Sequence, residues 1–137
     1  MLILICGRSR AGKTTYSQRY EDVLHCDSVR AKCGEKYPKI YELVTPQKDI
    51  VLDGLFETAE KRTGLLQAYK GNSPKQCIWL DTDIKTIALR TTNGRSDSPK
   101  HARPHEFEPP TLDEGWDDII IIRGDDNVEY ISREKQT

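Results

Sequence analysis

The sequence predicts an α/β fold, built on a mostly parallel five-stranded sheet with helices on both faces. Three observations predict it. Five short apolar runs are spaced along the 137 residues. Segments of helical spacing alternate with them, and that alternation is how parallel sheets are connected. Several runs end directly on a polar or glycine residue, at the end of the strand where ligands bind in such sheets.

The first run, residues 2–6, is Leu-Ile-Leu-Ile-Cys, continuous and apolar. That pattern fits a strand buried on both faces rather than on one. A polar, glycine-containing turn follows, and residues 14–21 then continue without proline as a helix. Residues 23–26 read as a second strand ending at Asp27. Residues 28–32 and 39–43 read as helical pieces around Gly34 and Pro38. Residues 50–52 form a third strand ending in Asp53-Gly54. Residues 57–70 carry Ala59, Leu65, Leu66 and Tyr69 at helical spacing, and Gly71-Asn72-Ser73-Pro74 stops them. Residues 77–80 are a fourth strand ending at Asp81, residues 84–90 a helix, and residues 119–122 the fifth strand. Residues 128–132 return through Gly124-Asp125-Asp126-Asn127 as a short additional strand candidate outside the five.

Residues 93–110 are different: four prolines, many charges and no aliphatic side chain larger than alanine. Long connections of this composition serve as functional lids or are locally disordered. We place a lid at about 91–110 of a single domain spanning 1–137. The formal net charge of −1 excludes global attraction to nucleic acid or an anionic membrane. Basic residues nevertheless gather at Arg8, Arg10, Lys13, Arg30, Arg90, Arg95, Lys100 and Arg103, a local anion site if they converge. The four cysteines, at 6, 26, 33 and 77, have no C-x-x-C spacing, and Cys6, Cys26 and Cys77, in or beside apolar runs, read as small buried residues in a reducing compartment. No stretch approaches the ~20 apolar residues of a membrane span. The expected location is the cytoplasm, or a host cytoplasm for a viral protein.

Gly7-Arg8-Ser9-Arg10-Ala11-Gly12-Lys13-Thr14 fits G-x-x-x-x-G-K-[ST], directly after a buried-type strand and before a helix. Glycines let the backbone curl so that successive N–H groups face a phosphate. In this motif the lysine reaches the β- and γ-phosphates and the hydroxyl of Thr14 holds Mg²⁺. Gly7 to Thr15 are therefore the expected nucleotide-binding residues, with ATP and Mg²⁺ as ligands, on a three-layer P-loop NTPase fold. The competing reading is a glycine turn with an incidental lysine. Arg8 and Arg10 either add phosphate contacts or face water. An N-K-x-D guanine reader is absent, which argues against a GTPase, and the length suits a small kinase.

With these landmarks in place, the chain resembles the kinase domain of polynucleotide 5′-kinases and their P-loop relatives, common in phages. The resemblance rests on the phosphate loop and on Asp27-Ser28-Val29-Arg30, similar to that family's D-x-x-R. It also rests on Val51-Leu52-Asp53-Gly54, on Arg90 and Arg95, and on Phe107-Glu108-Pro109-Pro110-Thr111-Leu112-Asp113-Glu114-Gly115-Trp116 ahead of residues 119–122; the phosphate loop and this last stretch are its two specific landmarks. It implies that Asp27 accepts the proton of the attacking hydroxyl, and that Arg30 binds the acceptor's phosphate or transition-state charge. It implies that Asp53 assists Mg²⁺ together with Thr14, and that Arg90 and Arg95 close over the triphosphate. Each role has a plainer counterpart: a helix N-cap for Asp27, an ion pair with Asp27 for Arg30, an Asp-Gly turn for Asp53. For Arg90 and Arg95 the counterpart is solvated surface charge. The chain departs from the family in its reduced piece between strands two and three and in carrying no attached phosphatase or ligase domain. Trp79 and Trp116 read as core. Tyr37, Tyr41 and Phe107 are the aromatics placed to meet a base or sugar.

The expected activity is transfer of the γ-phosphate of ATP to a nucleic-acid hydroxyl, either a polynucleotide 5′-hydroxyl or a hydroxymethylated pyrimidine of phage DNA. The alternatives are a kinase for a small metabolite (a sugar acid, nucleoside or antibiotic) and a nucleotide-binding module without transfer activity.

Overall fold

The structure is a computed structural model that describes residues 1–8, 12–32, 34–81, 107–124 and 127–132. The five expected strands form as β1 (Leu2–Gly7), β2 (Val23–His25), β3 (Ile50–Gly54), β4 (Lys75–Leu80) and β5 (Asp118–Gly124). A sixth, β6 (Asn127–Ser132), corrects the count of five: the sheet has six strands, in order β2-β3-β1-β4-β5-β6. β1 to β5 pair in parallel, and β6 returns antiparallel on β5 at the edge.

β1 lies inside the sheet, between β3 and β4. Its side chains alternate between two apolar layers, which is why its sequence is apolar throughout. Leu2, Leu4 and Cys6 join Leu52, Cys77, Trp79, Ile119 and Ile121 on one face. Ile3 and Ile5 join Ile78 and Leu80 on the other, packed by Tyr16 and Tyr20. The first face is covered by α2 (Lys36–Val44) and α3 (Ala59–Ala68), through Ile40, Val44 and Leu65. The second is covered by α1 (Lys13–Ser17) and the turn that follows it.

Several boundaries differ from the expectation, each for a local reason. α1 stops at Ser17 because Gln18, Arg19 and Tyr20 donate to carbonyls three residues back, a tighter 3₁₀ turn. No helix forms over 28–32; Cys26–Ser28 makes one 3₁₀ turn and Val29 is already extended. α2 begins at Lys36, before Pro38, because proline is tolerated in a first turn where its missing N–H has no helical partner. α3 begins after Thr58, whose side chain accepts from Lys61 N at 3.2 Å, a regular N-cap.

The helix expected over 84–90 lies outside the described residues, as does most of the expected lid. Residues 107–110 are described and pack on the body of the fold. Phe107 is stacked on Trp79 with ring centroids 5.3 Å apart, Pro110 is buried, and Glu108 N donates to Glu57 O at 2.8 Å. Trp116 is fully buried and Trp79 nearly so, as expected of core residues. Cys6, Cys26 and Cys77 are buried thiols, with Cys6 and Cys77 Sγ atoms 3.6 Å apart on neighbouring strands. No described helix is long and apolar enough to cross a membrane.

Candidate functional site

The carboxyl ends of β1, β2 and β3 carry the polar residues singled out in the sequence. β1 ends at Gly7, and α1 opens behind Gly12, whose φ of 102° is left-handed and natural only for glycine. Lys13 is the first helical residue. Its ammonium folds back over the loop, donating to Gly7 O at 2.8 Å and to Arg8 O at 2.9 Å. Ser9, Arg10 and Ala11 lie outside the described residues, as does the side chain of Thr14. Thr15 is exposed. Burial lowers the Lys13 pKa, and the charges of Asp27, Cys6 and Asp53 push it back up. Both expected carboxylates are therefore close enough to act electrostatically on Lys13.

Asp53 is part of β3, in register with Ile5 of β1 and with His25 of β2. It is not in a turn, so the plain Asp-Gly reading fails here. Only 6% of it is exposed, and its Oδ2 accepts from His25 Nδ1 at 2.8 Å. Gly54 must follow it: a Cβ there would come within 3.0 Å of Cys26 Cβ and 3.1 Å of the Phe56 ring. Asp27 lies within the 3₁₀ turn after β2 and caps nothing, so the N-cap reading also fails. Its side chain is 82% exposed and pairs with Lys36 Nζ at 3.1 Å. Arg30 is exposed and is not the partner of Asp27, contrary to the plain ion-pair reading. Arg90 and Arg95 lie outside the described residues.

Arg8 reaches across to the end of β4, 3.9 Å from Asp81, and Arg123 of β5 approaches the same carboxylate at 3.5 Å. Arg123 also pairs with Glu129 at 3.0 Å. The structure thus brings Gly7, Arg8, Gly12, Lys13, Asp27 and Asp53 to one end of the sheet. It adds His25, Lys36, Asp81 and Arg123, which sequence reasoning missed. His25 had a local signal, since it is the one polar residue within the run 23–26, two residues before Asp27. Lys36 and Arg123 had none; each looks like ordinary surface charge until the strand order is known.

Of the aromatics expected to meet a base or sugar, Phe107 is buried, while Tyr37 and Tyr41 are half-buried. Phe107 is buried on Trp79. Tyr37 meets Phe56 edge-on at 5.1 Å, and Tyr41 Oη donates to Lys61 O at 2.9 Å. No protein-family model matches the chain, and neither does any curated protein. The functional reading therefore rests on the residues themselves.

Proposed function

We propose that the chain is an ATP-dependent kinase of the P-loop type, transferring the γ-phosphate of magnesium-bound ATP to a hydroxyl, with a nucleic-acid hydroxyl as the leading acceptor. The observation that carries this reading is the loop from Gly7 to Lys13. It leaves an interior parallel strand, enters α1 through a left-handed Gly12, and has the Lys13 ammonium folded back onto the carbonyls of Gly7 and Arg8, at the sheet end that also carries Asp27 and Asp53. Among the described residues Lys13 bonds to the neutral carbonyls of Gly7 and Arg8, and phosphate oxygens offer a charge-assisted exchange for them.

Mg²⁺ on a triphosphate keeps several waters and needs one or two protein oxygens at most. The residues fit that need. Among the described residues no group of three or more His, Cys, Asp or Glu forms a cage of its own. Asp53 has Oδ1 outside its bond to His25, and Thr14 is the second residue of α1, directly after Lys13. Thr14 and Asp53 would hold the ion, which would supply charge neutralisation at the triphosphate. Asp27, exposed at the neighbouring strand end, takes the proton of the acceptor hydroxyl as its oxygen bonds to γ-phosphorus and ADP leaves.

A second reading, a small-metabolite kinase, is favoured by the burial of Phe107 against Trp79, which leaves that ring unavailable to stack on a base. One assay separates them: γ-labelled ATP with Mg²⁺ and a panel of 5′-hydroxyl oligonucleotides, hydroxymethyluracil-containing duplex, nucleosides and gluconate. The expected result is label on a polynucleotide, abolished by Lys13→Ala and strongly reduced by Asp27→Asn while ATP still binds. Label on a small molecule alone establishes the second reading. Calorimetry that finds no uptake of magnesium-nucleotide removes both.

A further inference from the structure

The ammonium of Lys13 donates to the carbonyls of Gly7 and Arg8, although Asp53, level with Ile5 of β1, and Asp27, just after β2, stand at the same end of the sheet. Among the described residues neither Asp27 nor Asp53 forms an ion pair with it. Each carboxylate is engaged elsewhere: Asp27 by Lys36 at 3.1 Å, Asp53 by His25 at 2.8 Å. The two engagements are not equivalent. The Asp27 pair lies in solvent, where water screens both charges and the pair holds little. Asp53 is buried, and a buried carboxylate without a donor seeks the nearest cation or hydrogen-bond donor.

His25 and Asp53 are register partners on adjacent parallel strands, so their side chains leave the sheet side by side at the same level. The contact follows from strand pairing and does not depend on a flexible loop. The imidazole is half exposed, with 46% of its side chain accessible, while its carboxylate partner is 8% accessible. An ionised carboxylate can only accept, so Nδ1 carries the proton of this bond. The bond draws Oδ2 toward β2, the edge strand, and away from β1 and its loop.

Resting on the nucleotide-binding reading above, we infer that His25 is a positioning residue that holds Asp53 off Lys13, keeping the lysine free of an internal counter-ion and available to an incoming phosphate. With His25 gone, the β3 carboxylate turns toward Lys13. An anionic ligand must then displace an ion pair instead of two carbonyls. His25 touches no ligand in this scheme; it acts only through Asp53.

The test is a double-mutant cycle read by calorimetry with magnesium-ATP, on wild type, His25→Ala, Asp53→Asn and His25→Ala/Asp53→Asn. Alanine lets water reach the released carboxylate; His25→Thr, whose hydroxyl is too short to span the gap, replaces it should the alanine variant not fold. His25→Ala is expected to lose about tenfold in affinity, the scale of coupling between neighbouring charged groups. The loss should vanish in the Asp53→Asn background, because a neutral amide does not capture the lysine. His25→Asn, which returns an amide donor to the same place, should recover most of the loss. A merely structural role for His25 would give additive losses and no recovery. Wild-type affinity in His25→Ala, or an undiminished loss in the double variant, overturns the inference. A crystal structure of His25→Ala decides independently of any nucleotide. Asp53 within ion-pair distance of Lys13 Nζ supports the inference, and Asp53 unmoved refutes it. If wild type binds no nucleotide, the function proposed above fails, and that crystal structure still decides what His25 does.

Discussion

Replacing Arg62 with methionine should destabilise the described α2/α3 face by a large share of the total stability. Arg62 is fully buried within α3. Its guanidinium donates to both carboxylate oxygens of Glu114, at 2.9 and 3.1 Å, and to Phe56 O at 2.7 Å. Methionine refills most of the volume but leaves Glu114, 5% exposed, as a buried charge without a cation. Breaking such a pair from one side costs ~3–5 kcal/mol. Trp116 Nε1 at 3.1 Å and Thr111 N at 3.2 Å still donate to Glu114, so the lower end, about 3 kcal/mol, is expected. Against a total stability of ~5–15 kcal/mol this is a large share. With a urea m-value of ~1–3 kcal/mol/M the midpoint falls by about 1–3 M. Urea unfolding followed by tryptophan fluorescence reads it directly, since Trp116 is buried beside the pair. Adding Glu114→Gln removes the stranded charge while keeping an acceptor for Trp116, and should restore about half of the loss. A cost below about 1 kcal/mol for Arg62→Met, or a double variant no more stable than the single, would refute the view that this pair ties α3 to the approach of β5.

Three further outcomes follow from the packing and the titrating groups. Burial pushes the Cys26 thiol up to about 12, from an ordinary value near 9. A raised pKa means that the folded state binds more protons between those values, so the contribution of Cys26 is full below pH 9 and is lost by about 1.4 kcal/mol per pH unit above it, and Cys77, raised well above its ordinary value chiefly by burial, adds to the same decline. Tyr37, also raised chiefly by burial, adds to that decline at higher pH, while Lys13, lowered chiefly by burial, opposes it below its ordinary value of 10.5. Cys26→Ala should flatten the alkaline slope in denaturant titrations between pH 9 and 11, and an unchanged slope would exclude the thiol as its source. Gly54→Ala places a methyl 3.0 Å from Cys26 Cβ and 3.1 Å from Phe56, both buried with little room to yield, and should lower stability by ~1–3 kcal/mol in urea unfolding. Thr58→Ala removes the acceptor for Lys61 N and should cost ~1 kcal/mol, measured the same way, whereas Thr58→Ser should cost less than half of that.

The sheet was legible because burial on both faces leaves a local trace. Residues 2–6 and 119–122 are apolar without alternation, and both became parallel strands. β6 left a weaker trace because it is an edge: Val128 is 39% and Tyr130 64% exposed, so no apolar run announces it. Strand order left no trace. Residues 23–26 and 50–52 read as separate runs, and nothing local says that β3 inserts between β2 and β1. The His25–Asp53 contact is a consequence of that insertion, and so it was invisible while each residue alone was readable. Arg62 shows the same limit in the core. In sequence it is one charge in a polar helix segment, and only the tertiary fold brings Glu114, 52 positions away, into its fork.

The stretch Pro110–Trp116 changes meaning once its contacts are known. In the sequence it is one of the two specific landmarks of the kinase resemblance. In the structure its residues build a joint. Thr111 and Glu114 form a reciprocal capping box around a 3₁₀ turn, and Gly115 leaves that turn at φ 123°. Glu114 then gathers Arg62, Trp116 Nε1 and its own capping N–H on one carboxylate. These are framing contacts that fix how the chain enters β5; Glu114 is committed to Arg62 and has no oxygen to spare for a substrate. Similarity in this stretch therefore speaks for a shared architecture and says nothing of the reaction. The chemical case rests on the other specific landmark, residues 7–14, and on the carboxylates at the ends of β2 and β3. That division makes the two halves of the argument separable by experiment. Arg62→Met should weaken the fold without a specific loss of nucleotide affinity in the folded protein, and Lys13→Ala should lose nucleotide affinity at full stability. A variant series in which the two properties moved together would show that the joint and the loop are not independent.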